Sequence, residues 1–240
     1  MTPMQNELMT VGLHVGVVAA LGFAGAAVFR GSFRPAWFAG ALALYIVYDA
    51  LLTRGFWTLP DMFPGSEWNW TGKLLSFAGM AVAAVLLGRR KVGATLRQAP
   101  GSRAAWVVFV VLAAALFALA WRTGDGRPDD LETIAFQWTM PGLDEELFFR
   151  GALLVALNEA FAACARIFGA PIGYGGLLTA VLFGLVHALD YGAAGVGFDA
   201  MTFAATGGPS LILLWMREKT GSLLLPVLAH NVSNGAFTLF

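Results

Sequence analysis

Charge is scarce in this sequence. Asp, Glu, Lys and Arg make up 12% of its 240 residues, against 58% that are hydrophobic, and a soluble domain of this size could not cover such a core with polar surface. A mean hydropathy of +0.70 makes a lipid bilayer the natural solvent. Basic and acidic residues number 15 each, so no net charge is left to attract a nucleic acid, and no nucleic-acid partner is expected. Cysteine is nearly missing. Cys164 stands alone, which excludes an intramolecular disulfide and any CxxC metal or redox pair, and it reads as a small buried apolar residue. The opening MTPMQNELMT has neither the basic stretch nor the small-residue cleavage site of a secretory signal, so the first apolar segment is expected to stay as a membrane helix. No internal repeat and no low-complexity segment stands out, which counts against a carrier built from inverted repeats.

Apolar windows, each of about the 20 residues needed to cross a bilayer, alternate with charged or Gly/Pro punctuation. They predict helices over 8–29, 36–52, 74–88, 105–121, 134–165, 173–189, 200–216 and 223–240. The fold class is therefore all-α: a polytopic transmembrane bundle of about eight helices around a polar intramembrane cavity, with residues 1–240 as a single membrane domain. The fifth window is too long for a simple perpendicular span and is expected to be tilted, kinked or partly interfacial near Pro141 and Gly142. Gly207, Gly208 and Pro209 are expected to interrupt the seventh. Arg89, Arg90, Lys91, Arg97 and Arg103 form the most basic loop, which the positive-inside rule places in the cytoplasm. Alternation of the helices then puts Arg30, Arg34, Arg166, Arg217 and Lys219 on the same side, and Asp125, Asp129, Asp130 and Glu132 opposite.

An ionisable side chain within a span costs about 2.5–3.5 kcal/mol on insertion scales, so each one requires a reason. In PGLDEELFFRG, Glu146 and Arg150 lie four apart and share a helical face as an acid–base pair. Glu145 is turned from Glu146 by about 100° and has no evident partner. A free carboxylate in a low-dielectric setting is suited to general acid–base work. Phe183 and His187 share a second helical face, and His230 and Asn234 a third. His14 reads as a helix-contact residue bonding across the bundle. Asp49, near a helix end beside Tyr45 and Tyr48, reads as structural. Singly, Glu146–Arg150 is a salt bridge and each histidine an interhelical contact. Jointly, a carboxylate, two histidines and an amide on three apolar helices supply a base for water and donors for an oxyanion, which are the needs of peptide hydrolysis.

These residues resemble the three motifs of the CPBP family, the type II CAAX prenyl endopeptidase and bacteriocin-processing and immunity (Abi-like) group of intramembrane proteases. EExxxR matches Glu145, Glu146 and Arg150, followed by Gly151; FxxxH matches Phe183 and His187; HxxxN matches His230 and Asn234. The resemblance covers residues 131–240, the expected catalytic core. It implies an intramembrane endopeptidase in which Glu145 and His187 bind and activate water, while His230 and Asn234 stabilise the tetrahedral oxyanion. Glu146 with Arg150 would hold the motif helix, Glu146 also reaching the water, and Phe183 would wall the cavity.

Glu145, His187 and His230 are also a plausible zinc set with an open position. The chain has no HExxH, and the expectation is no firmly bound cofactor, with zinc as the ion these three would hold if one bound. The implied partners are a peptide or protein substrate in the membrane, CAAX-like or otherwise membrane-associated, and the lipid itself. The implied location is a bacterial inner (cell) membrane, crossed several times. Two other functions use similar residues: a noncatalytic scaffold or bacteriocin-immunity protein on the same fold, and a proton-coupled transporter.

Overall fold

The computed structural model describes residues 2–240, and it is a helical bundle. Helix α1 (Pro3–Val28) starts from a capping box in which Thr2 and Gln5 bond reciprocally, satisfying two of the backbone donors that a helix start leaves open. After it come α2 (Pro35–Leu52), the short α3 (Arg54–Trp57), α4 (Trp70–Leu87) and α5 (Arg103–Thr123). Helices α1, α2, α4 and α5 are each long and apolar enough to cross a membrane. Asn69 caps α4 by accepting the Gly72 N–H.

The next leg is broken close to Pro141 and Gly142, so of tilt, kink or an interfacial stretch, a break is what the overlong window holds. Helix α6 (Leu131–Gln137) is capped by Asp130; bonds from Thr133, backbone and side chain, and from the Glu132 N–H hold that carboxyl below its usual range. The chain then turns at Thr139 into α7 (Met140–Glu146), with Pro141 in its first turn where a missing N–H costs nothing. A π-helical segment, Leu147–Leu153, joins α7 to α8 (Leu154–Ala160). The helix ends there, short of the predicted residue 165, because the chain leaves the bundle for a hairpin of β1 (Cys164–Ile167) and β2 (Ala170–Gly173), paired antiparallel. Cys164 lies on that outlying hairpin and is exposed, so the expectation of a buried cysteine is wrong.

Helix α9 (Tyr174–Ala188) leads into a second antiparallel hairpin, β3 (Leu189–Gly192) with β4 (Gly195–Phe198). The chain ends with α10 (Ala200–Thr220), α11 (Leu224–Gly235) and a 3-10 turn, Ala236–Leu239. The expected interruption of α10 does not occur: the helix runs through Pro209 to Thr220. Pro209 removes one backbone donor, which a packed neighbour can compensate, and Gly207 lies against Gly184 of α9, so the small residues serve close packing.

Eight legs result, with α6 to α8 counted as one. At one end, the 88–102 loop meets the α10–α11 turn through Ala99 N–H to Thr220 O and Leu223 N–H to Gly93 O. At the other, Asp129 N–H bonds Thr238 O and Tyr191 N–H bonds Thr10 Oγ1. The first end carries Arg89, Arg90, Lys91, Arg103, Arg217 and Lys219; the second carries Asp61, Asp129, Asp130, Glu132, Asp190 and Asp199. In the core between them, the Tyr48 ring stacks on Phe148 at 3.9 Å, and His14 bonds Tyr45 Oη and Leu189 O, the cross-helix contact the sequence predicts.

Candidate active site

Three consecutive acids of α7 point three ways, as a helical rotation of about 100° per residue requires. Asp144 turns toward α2 and α4, where Oδ2 accepts from Tyr48 Oη at 2.8 Å and Oδ1 from Ser76 Oγ at 2.6 Å. Glu145 faces a cavity of about 840 Å³ that it lines with Lys73, Phe183, His187, His230 and Asn234. Glu146 turns into protein and is fully buried.

Glu146 ties two of the sequence motifs together. Its Oε1 accepts from Arg150 at 2.8 Å, the predicted pair, and from His230 Nδ1 at 2.7 Å. Arg150, itself 1% exposed, also donates to Ser210 Oγ at 2.7 Å and stands 4.4 Å from the Phe183 ring centre. Buried ions need such pairing to offset their lost hydration, although Glu146 Oε2 has no protein donor. Glu146 is absent from the cavity wall, so its contact is with His230 and Arg150.

The histidines are oriented by acceptors on their Nδ1 atoms. His187 Nδ1 lies 2.7 Å from Phe183 O; a carbonyl only accepts, so this nitrogen carries the proton and the neutral ring keeps its lone pair on Nε2. His230 Nδ1 donates to Glu146, leaving His230 Nε2 3.8 Å from Glu145 Oε2. Asn234 is one turn further along α11, and its side chain makes only a long contact, 3.4 Å from Ser233 Oγ.

Glu145 is not the unpartnered carboxylate the sequence suggests. Lys73 Nζ lies 2.6 Å from its Oε1 and 3.1 Å from Asp144 Oδ2, while Glu145 Oε2 is buried with no protein donor. Lys73 escapes the sequence reading because the third apolar window begins at residue 74, whereas α4 begins four residues earlier. A lone Lys at the mouth of an apolar helix was the available signal. Asn231 is also missed: its Oδ1 accepts the Gly142 N–H at 2.8 Å, fastening α11 to the start of α7. A Cβ on Gly142 would fall 2.3 Å from that Oδ1 and 2.7 Å from Val227 O, so the two backbones can approach only over a glycine.

Among the described residues no three His, Cys, Asp or Glu side chains are grouped so as to hold a metal ion, and the Lys73 ammonium occupies one oxygen of Glu145.

Residues 127–236 match the family model described as Type II CAAX prenyl endopeptidase Rce1-like. This segment is similar to that family. The Rce1-like segment contains Glu145, Glu146, Arg150, Phe183, His187, His230 and Asn234, whereas Lys73, Tyr48 and Ser76 reach the site from outside it. The Rce1-like family is a protease family, and the match, together with four helices long and apolar enough to cross a membrane, indicates an integral membrane protein. No curated protein and no solved structure matches the chain.

Proposed function

We propose that the protein is an intramembrane endopeptidase that hydrolyses peptide bonds of a membrane-associated, CAAX-like substrate with water activated by Glu145 and His187. The observation that carries this reading is Glu145 Oε2, buried without a protein partner on a cavity wall shared with His187, whose Nε2 keeps its lone pair, and with His230 and Asn234. A water between Glu145 and His187 loses a proton to Glu145 as its oxygen adds to the scissile carbonyl carbon. Asn234 Nδ2 and His230 Nε2, the latter when protonated, donate to the resulting oxyanion. As the C–N bond breaks, Glu145 returns the proton to the departing nitrogen. Lys73 keeps Glu145 ionised and in place before the attack. Glu146 acts one step back, by holding His230, and Arg150 and Phe183 support that arrangement.

In this reading the chain crosses the bilayer several times, with its basic end in the cytoplasm of a bacterial cell as the positive-inside rule requires. His187 lies in the last turn of α9, Asn234 in the last turn of α11 and Lys73 in the first turn of α4, which sets the site nearer the opposite, acidic end. No step requires a resident metal. Because Lys73 holds Glu145, and Ser76 and Tyr48 hold the neighbouring Asp144, the catalytic unit is the whole bundle.

The test compares new protein termini, by quantitative mass spectrometry, in membranes from cells making the wild type, Glu145→Gln or Asn234→Ala at matched levels. Products confined to the wild type support the protease, and the cut sequences report whether a prenylated C-terminus is the target. Identical termini in all three samples would make the protein a scaffold or carrier.

A further inference from the structure

Behind the Glu145–His187 wall lies a second cavity, separate from the one that faces Asn234. It encloses about 220 Å³ and is lined by Glu7, Thr10, Asp49 and Thr53, with Glu145 and His187 closing its inner end. Glu145 and His187 therefore border both cavities. A third space of about 700 Å³ continues outward at the acidic end, sharing Glu7, Thr10 and His187 with the chamber and reaching Asp190 and Asp199 beside the β3–β4 hairpin. The chamber is polar although α1 and α2 are apolar helices. Its other polar side chain from α1, His14, is satisfied by Tyr45 and Leu189. Asp49 is not: the residue is 8% exposed and its Oδ2 has no protein donor.

A carboxylate oxygen buried without a donor is costly. Water is the partner that a polar chamber of this size can hold, since one water occupies about 30 Å³ in the liquid. The front cavity is where a peptide would lie, and a seated peptide would shut that side off from solvent. Each bond cut consumes one water, so the pair that activates it needs a supply from elsewhere.

We infer that the chamber lined by Glu7, Thr10 and Asp49 is a rear water passage, leading from the acidic end of the bundle to Glu145 and His187. Its use as a supply for hydrolysis rests on the protease reading; its existence as a wet passage does not. Thr10, common to the chamber and its outer vestibule, is the neck. Glu7, Thr10, Asp49 and Thr53 together keep the passage polar within an apolar helix pair, so it stays wet when Asp49 alone is replaced, and Asp49 does not touch the reacting atoms.

Cysteine accessibility tests this in the full-length protein. On a Cys164→Ser background, single cysteines replace Asp49, Val18 (core, 1% exposed) or Val47 (lipid-facing, 51% exposed). Each variant in proteoliposomes meets a charged, membrane-impermeant methanethiosulfonate admitted to both faces, and labelling is read by intact mass. Asp49→Cys is expected to react about tenfold or more faster than both controls, because only a thiolate in water reacts quickly. Adding Thr10→Trp, or the smaller Thr10→Leu should the first not fold, is expected to slow that labelling several-fold while a Ser233→Cys reporter in the front cavity labels as before. The same Thr10 variants should lower kcat several-fold and leave KM unchanged. Labelling of Asp49→Cys no faster than Val18→Cys overturns the passage. Fast labelling indifferent to Thr10 overturns the rear mouth, and blocked labelling with unchanged kcat overturns the role in supply. Labelling reads the passage whether or not any peptide is cut, so failure of the protease reading leaves a different signature.

Discussion

The ammonium of Lys73 lies 2.6 Å from the Glu145 carboxylate and reaches Asp144 beside it, so one cation from α4 secures two adjacent acids of α7. Both acids come from the Rce1-like segment and the cation does not. The N-terminal helices are thus part of the site's electrostatics. Replacement by Met leaves two buried carboxylates facing each other without a counter-charge.

Lys73→Met is therefore expected to lower stability by about 3–5 kcal/mol and to abolish cleavage. Thermal unfolding in detergent reads the first effect and product formation the second. Adding Asp144→Asn removes one of the stranded charges, so the double variant should unfold at a higher temperature than Lys73→Met alone. A double variant that is no more stable would mean that the two acids do not share the lysine.

Glu146→Gln separates holding from reacting. The amide oxygen can still sit between Arg150 and His230, but it accepts without the charge that the carboxylate brings at 2.8 and 2.7 Å, so both bonds weaken and His230 is held less firmly. The expected loss in kcat is on the order of 10²-fold with KM little changed, together with a lower unfolding temperature from the uncompensated charge of Arg150. Steady-state kinetics on a peptide identified from the cut termini, run beside a melting curve, checks both.

Asn234→Ala should behave differently. Its amide makes only one long contact at 3.4 Å, so the fold loses little, whereas an oxyanion donor contributes about 10²–10³ in kcat. Unchanged melting with a collapsed kcat is the expected pair of results. Unchanged kcat would remove Asn234 from the mechanism.

Gly142→Ala tests the approach of α7 to α11. With the added carbon 2.3 Å from Asn231 Oδ1 and 2.7 Å from Val227 O, the variant should lose about 2 kcal/mol. Asn231→Ala in the same chain should restore only part of that, because the Val227 carbonyl stays in the way. Melting temperatures of the three variants decide it.

Treatment of the purified protein with a strong zinc chelator is expected to leave the cleavage rate unchanged, as the ligand geometry and Lys73 require. A loss reversed by added zinc would show that the site rearranges around an ion.

Local spacing was the legible part of this molecule. Glu146 with Arg150 could be paired from their separation alone, because both sit on one helical leg where four residues complete a turn. The eight legs followed from hydropathy, and an irregularity near Pro141 from the excess length of the fifth window. Contacts between distant segments were not legible in the same way: Glu146 and His230 are 84 residues apart, and Lys73 and Glu145 are 72 apart. The hairpins escaped because four-residue strands are too short to show a period against apolar flanks. Pro209 misled because a helix packed closely on a neighbour tolerates what an isolated helix does not.

The π-helical turn at Leu147–Leu153 has a consequence for how this leg could change. Such a turn carries one residue more than an α-helix would use over the same length. Removing Ala152 would let the winding run regularly from α7 into α8, at no loss of apolar character. Relative to α8, held against α2 and α9, the Glu145–Glu146 end would then swing by about 100°, turning Glu145 from the cavity. The leg thus has a built-in spare residue, whose deletion would take the three acids of α7 away from Lys73 and His230 together.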